Sequence, residues 1–204
     1  MEEEEESDEF SAMAWEVAAQ GKSGRDIATL HETWAALVVQ SLRPDAFERA
    51  QEHLDQALNA WTGYQEPALV ARTWCLKGSC SLEVGDFAAA ASCFKRAQQL
   101  AEEAADAPLG LCVMANRAVC EIRRGDPKAA ATRSRRALVK AEADGRPEMI
   151  MATTCIRASS YQMAGKFLAA CNEHEAAAKL VAEGDTLSPE PALALAMETN
   201  FGIR

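Results

Sequence analysis

A Gly-Lys-Ser triplet and three histidines are the first places to look for chemistry in this sequence. The triplet, at 21–23, would end a phosphate-binding loop, but such a loop needs a glycine five positions earlier, where Glu16 stands in a helical stretch. The histidines, His31, His53 and His174, are spread along the chain and form no His-x-x-x-His or Glu-x-x-His pair on one helix. We therefore expect a linker at the triplet, and neither a metal nor a cofactor.

Seven cysteines could act as nucleophiles or ligands: Cys75, Cys80, Cys93, Cys112, Cys120, Cys155 and Cys171. They are scattered through apolar stretches without a Cys-x-x-Cys pair, and a cysteine nucleophile needs a nearby base and an electropositive pocket. The pattern favours reduced cysteines that fill the core. We expect no enzymatic activity, although residues that meet only in the folded chain are beyond this argument.

The net charge of −10 is concentrated at the start of the chain. Residues 2–9 supply 7 of the 31 acids, which leaves 24 acids against 21 bases in the rest. This balance disfavours a nucleic-acid partner, because phosphate contacts need a basic face. The first residues form no signal sequence, and no window approaches about 18 apolar residues. We expect a soluble, cytoplasmic protein without a membrane partner.

The sequence repeats with a period of 40 residues. Two alanine columns, a mostly aromatic column and a glycine column recur without insertion: Ala50, Ala90, Ala130 and Ala170; Ala57, Ala97, Ala137 and Ala177; Phe47, Phe87, Pro127 and Phe167; Gly85, Gly125 and Gly165. A fixed period of this length is typical of a helical solenoid.

Each repeat is predicted to contain two helices joined by a turn. In the second repeat, apolar and small residues follow helical spacing over 71–84 and again over 87–100. The Gly-Asp pairs at 85 and 125 and the Gly-Lys pair at 165 predict the turns, because glycine accepts the left-handed conformation that ends a helix. Prolines predict where the next pair begins: Pro67, Pro108, Pro147 and Pro189.

This pattern resembles the tetratricopeptide repeat family over about residues 27–200. Family signature positions hold Trp74, Gly78, Ala90, Phe94 and Ala97, whereas Lys77 and Ser81 replace the usual leucine and tyrosine. The 40-residue period is similar to that of kinesin light chains and G-protein-modulating spindle adaptors. The resemblance implies an all-α, right-handed superhelix with helix-turn-helix repeats at about 27–66, 67–106, 107–146 and 147–186.

Segments outside the four repeats are predicted at both ends. Residues 189–200, behind Ser188 as N-cap, resemble the helix that caps the last repeat of a solenoid. An acidic disordered tail at 1–9 precedes an amphipathic helix at 10–20 and a flexible linker at 21–24. Residues 10–20 either cap the first repeat or occupy the binding groove as a tethered mimic of the ligand.

In the tetratricopeptide repeat family, the first helix of each pair lines a concave surface that binds ligands. The resemblance places ten side chains on this surface, and we expect them to contact a peptide: Arg72, Leu76, Ser79, Glu83, Asn116, Val119, Arg123, Ile156, Ser159 and Met163. A core role is equally open for each. Asn116 is the best candidate for pairing with a peptide backbone, whereas the carboxylate clamp of chaperone-binding members is not expected.

A column of bases stands where the family prefers a buried leucine. Lys77, Arg117 and Arg157 occupy this position, and the first copy has Leu37. Pointing outward, the three bases would form a ladder across neighbouring first helices. The alternative is that their stems pack against the protein while their charged ends reach water.

We therefore expect a non-enzymatic adaptor or scaffold that binds a peptide or helix of a partner protein. One alternative is a ligand-controlled regulatory sensor, which requires a closed pocket. Another is a structural subunit of a larger assembly, which predicts extensive apolar surface on the outer faces. The architecture serves many processes, so it does not identify the partner.

Overall fold

The computed structural model describes residues 20, 22–40, 45–145 and 147–183, and the regular elements in these ranges are α-helices. In chain order they are α1 Gly24–Gln40, α2 Ala46–Ala60, α3 Pro67–Glu83, α4 Phe87–Glu103, α5 Ala107–Arg123, α6 Pro127–Asp144, α7 Pro147–Met163 and α8 Phe167–Glu183. The predicted all-α fold of successive helix pairs is confirmed. The predicted segments at 1–19 and 189–200 lie outside the described residues.

The chain forms two compact units, Met1–Gln65 and Glu66–Arg204. The first unit contains α1 packed on α2. In the second unit each helix from α3 to α8 packs on the next, and α5 also contacts both α3 and α7. The first helices of these three pairs therefore lie side by side, as a repeat of helix pairs requires.

The turns within the three pairs of the second unit share one geometry, and glycine makes it accessible. Gly85, Gly125 and Gly165 have φ of +83°, +78° and +71°, the left-handed region that costs other residues energy. The following residue in each turn donates its N–H to the carbonyl five residues earlier, as in Asp86 to Ser81 at 2.9 Å. Asp86 then caps α4 by accepting the Ala89 N–H at 2.9 Å. The predicted Gly-Asp turn is thus confirmed.

Small residues allow the two helices of a pair to approach closely. Ala90 and Ala97 on α4 are fully buried, and so is the ring of Phe94 between them. This ring packs on Gly78 of α3, where a Cβ atom would lie 2.7 Å from the Phe94 Cε1. The family signature positions therefore form the contact between α3 and α4.

The core of the second unit runs through the first helices. One cluster joins Phe94 to buried residues of α3, α5 and α7, among them Leu82, Val113, Val119 and Ile156. No helix within the described ranges is long and apolar enough to cross a membrane.

Candidate functional site

The candidate binding surface of the second unit is formed by α3, α5 and α7, and we call it the first-helix face. It consists of the predicted ligand-contacting positions on these helices that solvent reaches. Arg72 and Arg123 are exposed, Met163 is 49% exposed, and four side chains are half-buried: Leu76, Ser79, Glu83 and Ser159. The structure thus keeps seven of the ten predicted positions at the surface.

The other three predicted positions are buried, which corrects their expected role in ligand contact. Asn116, Val119 and Ile156 are 3%, 1% and 3% exposed. Each stands at the repeat position of an accessible residue in another pair, since Asn116 and Ile156 correspond to Leu76, and Val119 corresponds to Ser79. The flanking helices α3 and α7 both contact α5, so side chains in the middle of α5 pack internally.

Asn116 bonds to the protein itself instead of presenting its amide to a peptide. Its Nδ2 donates to the Sγ of Cys75 on α3 at 3.3 Å. Hydrogen bonds from Cys112 and then from Asn116 lower the pKa of the fully buried Cys75 thiol. This thiol and amide cluster ties α3 to α5 from inside, beneath the first-helix face.

Two of the predicted ligand-contacting residues contact one another at the C-terminal ends of their helices. Arg123 Nη2 on α5 donates to Glu83 Oε1 on α3 at 3.3 Å, and the two residues are 40 positions apart in the sequence, which is one repeat. Their side chains are 34% and 13% exposed. Arg123 is the more exposed partner, so a carboxylate of a ligand can reach its guanidinium from solvent.

The three bases of the column are partly buried and do not form an outward ladder. Arg157 Nη2 donates to the Glu173 carboxylate across the α7–α8 pair, and both side chains are at most one-fifth exposed. Lys77 places its Nζ 5.8 Å from the centre of the Trp74 ring. Burial, and then the nearby Arg133, lowers the pKa of Arg117. The stems are therefore packed as the alternative requires, but the charged end of Arg157 binds Glu173 instead of reaching water.

A histidine pair inside the first unit was missed by the sequence analysis. Nδ1 of His31 on α1 lies 3.1 Å from Nδ1 of His53 on α2, so one ring donates and the other accepts. Burial, with a smaller contribution from His53, lowers the pKa of His31 to about 4, and burial also lowers the pKa of His53. The pair therefore stays neutral and hydrogen-bonded near neutral pH.

The cysteines occupy protected positions, as small core residues would. Five are buried and Cys155 is partly buried, while Cys171 on α8 is exposed. Burial raises the pKa of Cys80 to about 12 and also raises the pKa of Cys155, which disfavours the nucleophilic thiolate. In the part of the chain that the structure describes, no three His, Cys, Asp or Glu side chains are grouped to hold a metal ion.

The predicted linker at 21–24 is partly a helix start. Ser23 caps α1, because its Oγ accepts the Asp26 N–H at 3.3 Å and donates to the Asp26 carboxylate at 2.8 Å. The Ser23 hydroxyl, and then the Ser23 N–H, donate to this carboxylate and lower the pKa of Asp26. The prediction that residues 10–20 mimic the ligand concerns residues outside the described ranges, and it stays a prediction.

Comparison with known proteins agrees with the helix-pair architecture. Residues 69–139 match the model of the tetratricopeptide repeat family, which confirms the resemblance. The crystal structure of BtubC (BKLC) from P. vanneervenii is similar to this chain, with a TM-score of 0.72 and 17% identity. The similarity covers 92% of this chain and 76% of that one, and it shows a shared fold. No curated protein sequence matches the chain.

Proposed function

We propose that this protein is a non-enzymatic adaptor that holds a peptide or a helix of a partner protein on the first-helix face. The observation that carries the proposal is the set of accessible side chains on α3, with the end of α5 beside it. Arg72, Leu76 and Ser79 follow one another at helical spacing on α3, and the Glu83–Arg123 pair closes the row. Tetratricopeptide repeats typically bind other proteins, and the matched residues 69–139 include all five residues.

The chemistry of this row suits an amphipathic segment. Leu76 is half-buried and offers an apolar contact, while Ser79 binds the Cys75 carbonyl at 3.2 Å and still has an acceptor oxygen. Arg72 at one end and Arg123 at the other supply positive charge. A helix or extended peptide with one apolar anchor and flanking carboxylates fits this order of groups.

A structural role in a larger assembly is the second candidate, because one end of the second unit exposes apolar side chains. Met163, Phe167 and Leu168 are 49%, 66% and 79% exposed. The equivalent Phe87 packs against the core cluster of the second unit, so Phe167 lacks comparable packing. A subunit role requires that a neighbouring protein buries this end, whereas the adaptor role requires that a ligand binds the first-helix face.

Selection from a displayed peptide library tests the adaptor proposal. Peptides that bind the immobilised full chain are selected on the wild type alone, then measured in solution by calorimetry. We expect Leu76→Asp to weaken binding by about tenfold or more, because it places a charge at the apolar anchor. The matched control Leu168→Asp adds the same charge on exposed α8 and should bind as the wild type does. Equal weakening by both substitutions, or by neither, would contradict the proposal.

A further inference from the structure

The second helix of the third pair, α6, carries a concentrated positive charge. From Pro127 to Ala141 it contains five bases and no acid, and the exposed acids Glu142 and Asp144 stand at its C-terminal end. Arg133 binds another residue of the chain, since its Nε donates to Glu121 Oε1 at 2.8 Å. The other four bases are exposed on one side of the helix, at spacings that place them together: Lys128, Arg135, Arg136 and Lys140.

Helix α4 carries two bases at the equivalent positions one repeat earlier. Lys95 and Arg96 stand 40 residues before Arg135 and Arg136 and are exposed as well. In α8 the same positions hold Glu175 and Ala176, so this pair of bases occurs on α4 and α6 and not on α8. We call these six exposed bases the outer basic patch. None of them forms an ion pair with residues in the described ranges.

This concentration is local, because residues 10–204 contain 24 acids against 21 bases. Six exposed like charges repel one another, and a purely solvating surface would mix the two signs, as Glu175 and Lys179 do on α8 at 3.4 Å. Four of the six bases are within one stretch of 13 residues. An anionic ligand on this side would remove the repulsion and gain charge-assisted hydrogen bonds, which arginine forms in pairs with carboxylates.

We infer that the outer basic patch binds an acidic polypeptide segment, with successive Glu or Asp side chains, on the side of the protein formed by the second helices. The bases on α6 extend over about 18 Å, from Lys128 to Lys140 at 1.5 Å per residue. An extended chain covers this length with about five or six residues. The ligand is thus a short acidic run, separate from the ligand of the first-helix face.

A polypeptide fits the patch better than a nucleic acid does. The other exposed residues beside these bases on the two helices are Ala88, Ser92, Gln99, Thr132 and Val139, so these positions offer no aromatic ring on which a nucleobase could stack. A nucleic acid also continues beyond the patch, where the negative charge of the rest of the protein repels its phosphates. A short acidic run ends within the patch and avoids this repulsion.

Fluorescence anisotropy with a labelled peptide of about six glutamates, the length that spans the α6 bases, tests the inference on the full chain. The glutamine version of the peptide serves as the uncharged control. Arg135→Gln with Arg136→Gln should weaken binding about tenfold, because two charge-assisted contacts are lost. The matched control, Lys166→Gln with Lys179→Gln on the α7–α8 pair, changes the net charge equally and should weaken binding less than about twofold.

Several outcomes separate this inference from its rivals. Leu76→Asp should leave hexaglutamate binding unchanged, so a failure of the first-helix face and a failure of the patch are distinguishable. The inference would be overturned if the wild type did not bind the hexaglutamate peptide, or if the two double variants weakened peptide binding equally. Tighter binding of a labelled single-stranded DNA than of the peptide would overturn it in favour of a nucleic acid. A gain in peptide affinity on deletion of residues 1–9 would instead identify the chain's own acidic run as the occupant.

Discussion

Replacing Gly78 with alanine adds one methyl group where α3 and α4 are in direct contact. The new Cβ would lie 2.7 Å from Phe94 Cε1 and 2.8 Å from Cδ1, both below ordinary van der Waals contact. The Phe94 ring is fully buried within the core cluster, so it cannot move away without disturbing its neighbours. Overpacking of this kind costs about 1 to 3 kcal/mol.

The helix itself prefers alanine, and this preference works against the clash. A glycine inside a helix is less favourable than alanine by about 1 kcal/mol, so we expect Gly78→Ala to lower the free energy of unfolding by up to about 2 kcal/mol. For a chain of this size the Tm should fall by up to about 8 °C. Circular dichroism during thermal and urea unfolding measures both quantities.

Gly110 supplies a matched control on α5. A Cβ there would have Gln98 Nε2 as its nearest neighbour at 3.7 Å, an ordinary contact. Gly110→Ala should therefore leave the Tm unchanged or raise it. Phe94→Leu combined with Gly78→Ala should cost less than the two single changes added together, because the smaller side chain relieves the clash. If Gly78→Ala were as stable as Gly110→Ala, the assigned packing of α3 on α4 would be wrong.

Three further predictions concern single contacts. Ala90→Leu should lower the free energy of unfolding by about 1 to 3 kcal/mol, because Ala90 is fully buried. The control Ala88→Leu, at an exposed position of the same helix, should change it by less than about 0.5 kcal/mol. Urea unfolding measures both. The pKa of His31 is lowered to about 4, so below about pH 6.5 the unfolded chain gains a proton that the folded chain does not. The free energy of unfolding should therefore fall by up to about 3 kcal/mol from pH 7 to pH 4. This loss should be absent from the His31→Gln, His53→Gln variant, and an unchanged pH dependence in that variant would be the contrary result. Ala105 has a φ of +53° in the turn before α5, so Ala105→Gly should raise the stability by about 0.5 to 1 kcal/mol, and a lower Tm would disprove the strain.

The sequence was informative wherever size or backbone conformation leaves few choices. The alanine columns mark positions where helices touch, as the full burial of Ala90 and Ala97 shows. The recurring glycines mark a left-handed residue, which few other side chains accept, and Gly85 and Gly125 have that conformation. Such constraints are local and repeat every 40 residues, so one chain was sufficient to find them.

The candidate site was harder to predict, because accessibility depends on how neighbouring pairs pack. Asn116 and Leu76 share a repeat position, yet Asn116 is buried between flanking helices and Leu76 is half-exposed. The family resemblance assigns one role to the whole column and cannot separate the two. Repeat position alone therefore overestimated the accessible surface on α5.

The histidine pair did leave a signal that could have revealed it. Antiparallel helices bring together residues that are equally distant from their turn, as Gly78 and Phe94 are from Asp86. His31 and His53 are equally distant from position 42, between α1 and α2, and Arg157 and Glu173 are equally distant from Gly165. A His-x-x-x-His motif requires both histidines on one helix, so it does not cover a pair that is formed across two helices.

Chemical-shift mapping of the isotope-labelled full chain, titrated with a peptide selected for wild-type binding, tests the adaptor proposal most directly. The proposal predicts that amide shifts concentrate on α3 between Arg72 and Glu83 and at the end of α5 near Arg123. The chemical shifts of the amides near Arg135 and Phe167 should not change. Shifts confined to α6 or α8, with none on α3, would contradict a binding role for the first-helix face.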